Sequence, residues 1–176
     1  TTDLFNFTLD NCTFYDSKAT LTGGTLYINC GNININDCEF YNSEAERGGA
    51  ILFENLFGYR LLINITSTEF NNCSSTSQGG AITCEKSSSF NGFNLSIANA
   101  KSKYGAGILI NNCKSLFNNL TITNSSSLIG AYFHQKGDLK LINSLFSSNT
   151  GNFGSAIYLT DMQNVLIENN TFKNNT

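Results

Sequence analysis

The chain has 176 residues and a net charge of −3, with 40% hydrophobic and 12% aromatic residues, no Trp and no Pro. This hydrophobic content is enough for a folded core and excludes a disordered chain, and the acidic balance excludes the basic surface of a nucleic-acid-binding protein. We therefore expect no nucleic-acid partner. No segment reaches the roughly 18 consecutive apolar residues of a membrane span, so we also expect no direct membrane insertion.

The first repeated motif is an apolar pair at spacing two, followed by a polar residue and then by Phe. The alternation predicts a strand with one buried face. The polar residue predicts a bend, because Asn and Asp side chains bond to nearby backbone and tolerate left-handed conformations. The copies, in chain order, are FTLDNCTF ending at Phe14, INDCEF at Phe40, INITSTEF at Phe70, LKLINSLF at Phe146 and VLIENNTF at Phe172.

The second motif is a glycine-led apolar run that alternates with the first. Glycine suits the start of a strand at a tight corner, where a side chain would be crowded. Successive copies begin about 24 to 31 residues apart, which is the spacing expected of a repeat protein. They are GGTLYI from Gly23, GGAILF from Gly48, GGAITC from Gly79, GAGILI from Gly105, IGAYFH from Ile129 and GSAIYL from Gly154.

The two motifs together describe strand, bend, strand, corner and strand in about 25 residues, with no amphipathic helical pattern. This order predicts an all-β parallel β-helix of about six to seven coils, forming a single domain over residues 1–176. The first motif also fits a leucine-rich-repeat solenoid, so that fold remains the alternative. A leucine-rich repeat needs a helix or 3₁₀ turn where this chain has Gly pairs and β-branched residues.

The repeats resemble those of the polymorphic outer-membrane protein family. The paired signatures of that family are GGA followed by Ile, Leu or Val, and Phe-x-x-Asn; they stand here at 48–51, 79–82, 146–149 and 172–175. The resemblance implies a right-handed parallel β-helix, a pectin-lyase-like solenoid, displayed at a cell surface and involved in adhesion. Neither end of the chain carries a polar cap, so we expect a fragment of a longer repeat protein or a subunit of an assembly.

The sequence offers little for catalysis. The single histidine, His134 in AYFHQK, has no Ser, Cys or carboxylate at motif spacing, and the nearest acidic pair, Asp10 with Asp16, falls on predicted bends. We expect no catalytic residue, no cofactor and no metal site. The favoured function is an extracellular structural or adhesive surface protein, part of a filament or cell-surface assembly. A polysaccharide-binding or polysaccharide-degrading β-helix is the alternative, so glycans are possible partners.

The six cysteines are an even number, which is compatible with an oxidising compartment. Cys12 and Cys38 both lie two residues before a ladder Phe, which places them inward on adjacent coils. The coil spacing of about 4.8 Å suits a disulfide, so this bond is predicted, with a small apolar stack as the alternative. Cys84 is predicted to be a buried thiol. The pairing of Cys30, Cys73, Cys84 and Cys113 stays open.

Nine Asn-x-Ser/Thr sequons are distributed along the chain. Glycans are predicted where the Asn flanks inward apolar residues and therefore faces solvent, as Asn64 does between Ile63 and Ile65. Sequons on the bends, such as Asn11 and Asn169, are expected to be hidden by backbone hydrogen bonds. The predicted acceptors are Asn6, Asn64, Asn94 and Asn119.

An assembly face is predicted on the outer side of the glycine-led strands. If the fourth and sixth residues of each strand point inward, the fifth points outward and repeats one coil apart. A contiguous apolar stripe of this kind favours self-association or packing against neighbouring repeats, unless long loops such as ENLFGYR fold over it. Together with the polar Thr83, the stripe consists of Tyr27, Leu52, Leu109, Phe133 and Tyr158.

Overall fold

A computed structural model describes residues 5–56 and 58–176 and contains twenty β-strands. Within these residues there is no helix, and no segment that could cross a bilayer as one. Every strand pair between consecutive coils is parallel, as a β-helix requires. The all-β solenoid is confirmed. The leucine-rich-repeat alternative is wrong, because its convex side would need helical turns.

Each coil has four sides, one more than the motifs predicted. The third side is a short polar strand with a small inward residue, such as Ala45 or Ser75, and it lacks the apolar alternation that reveals a strand in sequence. Side 1 comprises β1 Asn6–Asp10, β4 Gly31–Asn36 and β8 Leu61–Thr66. Side 2 comprises β2 Thr13–Tyr15, β5 Glu39–Tyr41, β9 Glu69–Asn71, β17 Leu145–Ser147 and β20 Thr171–Lys173. Side 3 comprises β6 Glu44–Arg47, β10 Ser74–Gln78, β13 Lys101–Tyr104, β15 Ser126–Ile129 and β18 Thr150–Phe153. Side 4 comprises β3 Leu26–Ile28, β7 Ile51–Glu54 and β11 Ile82–Glu85.

Four longer strands run through more than one side. β12 (Ser89–Ala98) forms sides 1 and 2 of its coil, and β14 (Ile108–Thr123) forms sides 4, 1 and 2. β16 (Tyr132–Ile142) and β19 (Ile157–Glu168) each form sides 4 and 1.

Residues with positive φ make the corners between these sides. The predicted bends are confirmed, since Asn11, Asp37 and their equivalents have φ near +50°. The first corner holds Asn11, Asp37, Ser67, Asn94, Asn119, Asn143 and Asn169. The second holds Asp16, Asn42, Asn72, Asn99, Asn124, Ser148 and Asn174. The third holds Gly23, Gly48, Gly79, Gly105, Gly130 and Gly154. The fourth holds Lys86, Asn112, Lys136 and Asp161.

The two glycines of the GG pair serve different purposes. Gly79 turns the third corner with a φ of +57°. Gly80 follows where the coils approach most closely, and a Cβ there would lie 2.1 Å from the carbonyl oxygen of Ala106 in the next coil. The pair therefore combines a left-handed turn with a backbone contact that admits no side chain.

The core consists of side chains stacked on their equivalents in the next coil. On side 2, the rings of Phe14 and Phe40 lie 4.9 Å apart, and those of Phe40 and Phe70 lie 4.8 Å apart. Burying one such ring contributes about 2 kcal/mol to folding. On side 4, the fourth and sixth residues point inward as predicted, and Ile51, Phe53, Ile82, Cys84, Ile108 and Ile110 are fully buried.

Buried polar side chains satisfy backbone amides at the first two corners. After several bends the N–H of the next residue is directed into the core, where it meets a side-chain oxygen from the equivalent residue of the next coil. Ser125 N donates to Asn149 Oδ1 at 3.0 Å, and Asn149 N donates to Asn175 Oδ1 at 3.1 Å. The Asn of the Phe-x-x-Asn motif is therefore an interior residue whose amide replaces a missing ladder bond.

The GG corner can be tested by substitution. We expect Gly80→Ala to lower the free energy of unfolding by about 3 kcal/mol, because the new methyl group meets backbone that cannot move aside. Gly58→Ala is the control: its φ is +71° but its Cβ would meet open space, so about 1 kcal/mol is expected. Urea denaturation measures both. Equal effects would contradict the close approach at Gly80.

Candidate functional site

A cleft of about 400 Å³ lies at the fourth corner, between sides 4 and 1. Consecutive coils contribute the same corner positions, so its rim is a column of exposed side chains one coil apart. The lining is polar and charged, with three lysines and two aspartates: Lys86, Ser87, Ser88, Asn112, Cys113, Lys114, Lys136, Gly137, Asp138, Asp161 and Gln163.

Part of the charge in this cleft is balanced internally. Asn164 Nδ2 donates to Asp138 Oδ1 at 2.8 Å, and Lys114 Nζ lies 3.6 Å from Asp138 Oδ2. The hydrogen bond from Asn164, helped by Lys114, lowers the pKa of Asp138 below its ordinary value. Among the described ion pairs none includes Lys86 or Lys136, and with Asp161 as the remaining carboxylate the lining carries a net charge of +1.

His134 lies in the core behind this cleft and is fully buried. Its Nε2 is 3.2 Å from the carbonyl oxygen of Cys113, which can only accept, so Nε2 carries the proton. Nδ1 then accepts from the hydroxyl of Tyr132 at 3.0 Å, and Ser115 Oγ lies 3.3 Å away. Burial lowers the pKa of His134 to about 4, which keeps the ring neutral at physiological pH.

The stripe predicted as an assembly face is not continuous. Leu52 and Leu109 are 0% and 3% exposed, so the prediction that they lie bare on the surface is wrong. Tyr27 is 41% exposed, while Phe133 and Tyr158 are half-buried with their rings stacked 5.3 Å apart. A role in self-association remains a prediction for these three aromatic residues.

The end of side 3 covers the stripe, where the sequence had suggested long loops. The third corner is sharp enough to bring the last residue of each side-3 strand onto the outer face of side 4. Thr83 Oγ1 donates to the carbonyl oxygen of Gln78 at 2.8 Å, and the Tyr104 ring lies 6.4 Å from that of Phe133. Arg47 lies at the same corner position.

Arg47 forms a charged cluster on this covered face. Its guanidinium is 3.3 Å from Glu54 and 2.8 Å from Glu85, and its Nε donates to Gln78 Oε1 at 3.0 Å. All three charged side chains are less than one quarter exposed. The cluster links the side-3 and side-4 strand ends of two adjacent coils. Sequence reasoning missed it because Arg47 is 7 residues from Glu54 and 31 residues from Gln78.

The predicted glycan acceptors differ in exposure. Asn6, Asn94 and Asn119 are exposed, whereas Asn64 is half-buried. The amide of Asn64 donates to Asn34 Oδ1 and accepts from Asn91 Nδ2, within a ladder on side 1.

The expectation that bends hide their sequons is wrong. Asn94 and Asn119 themselves lie on the first corner, where β12 and β14 bend with positive φ, and Asn11 and Asn169 at the same corner are exposed. Corner side chains bond to one another along the outer surface, as Asn119 does to Asn94, so they remain accessible. Glycosylation of the four sites is still a prediction.

All six cysteines are free thiols in the structure. Cys12 and Cys38 lie on adjacent coils, as predicted, but each thiol donates to the carbonyl oxygen two residues before it, that of Asp10 at 3.3 Å and that of Asn36 at 3.0 Å. The disulfide between them is not formed and remains a prediction. Cys84 is buried, as expected. Within residues 5–56 and 58–176 no group of three or more His, Cys, Asp or Glu is placed to hold a metal ion.

A family model described as a right handed beta helix region matches residues 80–176, more than half of the chain. The chain belongs to this right-handed β-helix family. The match includes the whole of the cleft and the His134 network. No curated protein and no solved structure matches this β-helix.

The corrected position of the stripe predicts the outcome of charge substitutions. Leu52→Lys should lower the free energy of unfolding by more than about 3 kcal/mol, because the ammonium group would be buried at a position that evolved to hold an apolar side chain. Tyr27→Lys, at the exposed end of the same column, is the matched control and should cost less than about 1 kcal/mol. Urea denaturation distinguishes the two, and a harmless Leu52→Lys would restore the exposed-stripe hypothesis.

The His134 environment predicts a pH dependence. The folded pKa of about 4 lies below the unfolded value of 6.5, so the unfolded chain binds a proton that the folded chain refuses. Stability is therefore full above pH 6.5 and falls by roughly 3 kcal/mol as the pH drops to 4. His134→Leu should lack this component, since Ile110 and Leu159 occupy the equivalent positions in adjacent coils.

Urea midpoints of both proteins between pH 7 and pH 4 give the required comparison. The carboxylates are common to the two proteins, so the difference between their pH profiles isolates His134. Parallel profiles would show that the histidine is protonated in the folded protein.

Proposed function

We propose that this β-helix is an extracellular, non-catalytic surface element with a structural or adhesive role, acting beside neighbouring repeats or further copies. The observation that carries the proposal is the pairing of outward side chains along the axis. Asn64 bridges Asn34 and Asn91 on side 1, and Asn42 bridges Asp16 and Asn72 at the second corner. These ladders stiffen a rod and repeat one polar group about every 4.8 Å, an arrangement suited to many weak simultaneous contacts.

The buried ionisable groups support a non-catalytic role. Arg47 is held by Glu54 and Glu85, and both ring nitrogens of His134 are engaged inside the core. In the cleft, the pKa of Asp138 is lowered, so this carboxylate stays ionised and is a poor general acid near neutral pH. A glycoside hydrolase needs the opposite, an acid whose pKa is raised.

The resemblance to polymorphic outer-membrane proteins supports surface display. Both of its signatures have structural causes here, since GG makes the third corner and the Asn of Phe-x-x-Asn bonds corner amides inside the core. The signatures themselves are therefore explained by the geometry of the coil. Display at a cell surface and adhesion are parts of the proposal. The sequons on exposed corners agree with an extracellular location.

Polysaccharide binding is the second candidate, and the cleft favours it. Lys86 and Lys136 stand two coils apart on its rim without ion-pair partners among the described residues. Their spacing, about 10 Å at one strand spacing per coil, matches two acidic groups along an extended chain.

One experiment separates adhesion from catalysis. Beads coated with the protein are passed over surfaces bearing neutral or acidic polysaccharides, and the same polysaccharides are assayed for chain cleavage. The proposal predicts retention under flow without cleavage. Product that accumulates in proportion to the protein would contradict it.

Two double variants assign the binding surface. Lys86→Ser with Lys136→Ser removes the positive rim, and Lys140→Ser with Lys173→Ser removes exposed lysines elsewhere as a control. If only the first pair abolishes retention on acidic polysaccharide, the cleft is the binding site and the second candidate holds. If neither pair matters, retention comes from the ladder-bearing faces.

A further inference from the structure

Two cysteines and one serine meet behind the cleft at the fourth corner. Cys84 points inward from β11, Ser87 follows the corner residue Lys86, and Cys113 follows the equivalent corner residue Asn112 one coil later. Cys84, Ser87 and Cys113 are 0%, 6% and 3% exposed, respectively. The three residues are separated in sequence and the fourth corner is irregularly spaced, so the repeat pattern does not predict that they meet.

The three groups form one hydrogen-bonded chain. Ser87 Oγ donates to Cys113 Sγ at 2.7 Å, and Cys84 Sγ is 3.0 Å from the same oxygen. Because the single hydroxyl proton is used toward Cys113, the Cys84 thiol donates to Ser87. The Cys113 thiol in turn donates to the carbonyl oxygen of Lys114 at 3.2 Å. Both sulfurs thus lie within 3.0 Å of one small hydroxyl group.

The coil geometry suits a bond between these sulfurs. β11 pairs directly with β14, so the two cysteines belong to neighbouring coils. In this pairing Cys84 lies opposite Ile110, three residues before Cys113, so the two cysteine side chains meet across the fourth corner, with Ser87 Oγ 3.0 Å from one sulfur and 2.7 Å from the other. No other pair of described cysteines is bridged by a hydroxyl group in this way; Cys73, for example, bonds to the carbonyl oxygens of Phe40 and Asn71.

The two thiols differ in reactivity. The neighbouring Cys84 side chain and the Ser87 hydroxyl lower the pKa of Cys113, whereas burial raises the pKa of Cys84. Cys113 is therefore the better nucleophile. It also lines the cleft, together with Ser87, beneath the rim lysines Lys86 and Lys136, so a small anionic reagent would be drawn toward it.

We propose that Cys84 and Cys113 are an oxidisable dithiol, closed into an inter-coil disulfide by a low-molecular-weight anionic disulfide that enters the cleft. The Cys113 thiolate attacks one sulfur of the reagent, breaks its S–S bond and releases one thiol as it forms a mixed disulfide. The Cys84 thiolate then attacks Cys113 Sγ and displaces the second thiol. Two electrons pass from the protein to the reagent, and the two cysteine protons end on the two released thiols.

Oxidised glutathione is the probe. The native protein, first reduced and freed of reductant, is incubated with it, then denatured, alkylated, digested and mapped by mass spectrometry. We expect a cross-linked peptide containing Cys84 and Cys113 and the loss of these two alkylatable thiols. Cys73→Ser, which removes a buried thiol outside the cluster, should react like the wild type.

Single variants test the order of the two steps. Cys84→Ser should stop at glutathione attached to Cys113, because no resolving thiol remains, and Cys113→Ser should leave Cys84 unmodified. Lys86→Ser with Lys136→Ser should slow the reaction with oxidised glutathione several-fold but leave that with uncharged hydroxyethyl disulfide unchanged. Wild-type protein that keeps both thiols alkylatable, or joins either to a different cysteine, would overturn the proposal.

Discussion

Backbone hydrogen bonding between consecutive coils is the constraint on which the rest of this structure depends. Each strand bonds in parallel to the strand one coil away, so every residue lies directly above its equivalent. A side chain in such a stack must be compatible with itself at about 4.8 Å. Flat rings, amides and small groups meet this condition, and they fill the stacks: Phe40 between Phe14 and Phe70, and Asn64 between Asn34 and Asn91.

The same constraint explains the polar residues in the core. A corner turns one amide per bend away from the ladder, and an unpaired buried N–H would cost roughly 1–3 kcal/mol. The chain answers with an oxygen from the next coil, supplied by a hydroxyl in Ser125 and by an amide in Asn149. Polar side chains that look out of place in a hydrophobic core are thus part of the backbone hydrogen-bond network.

Sequence reasoning succeeded where a position has one chemical solution. The first-corner Asn residues, the GG pair and the ladder Phe recur because few residues tolerate those conformations or fill those stacks. It failed where the constraint is only on backbone direction. The side-3 strands have small inward residues, and the fourth corner accepts residues as different as Lys86 and Asp161.

The candidate sites were less predictable than the fold for a related reason. Alternation indicates which residues point away from the core, but it does not show what folds over them: Leu52 is fully buried, and the strand before the third corner bonds to the equivalent residue Thr83. The thiol cluster depends on two residues three positions apart on one coil and a third on the next. Such a contact follows from the coil register, which no single repeat reveals.

The fourth corner also absorbs differences in repeat length. Six residues connect Glu54 to Leu61 there, three connect Glu85 to Ser89, and in β14 the strand passes through without interruption. The register of side 1 is nevertheless preserved, with Leu61 opposite Gly31 and Ser89 opposite Leu62. Segments can therefore lengthen or shorten at the cleft while the three other corners stay fixed. Changes of length and sequence at this edge can therefore alter what it recognises while the strand pairing of the β-helix is kept.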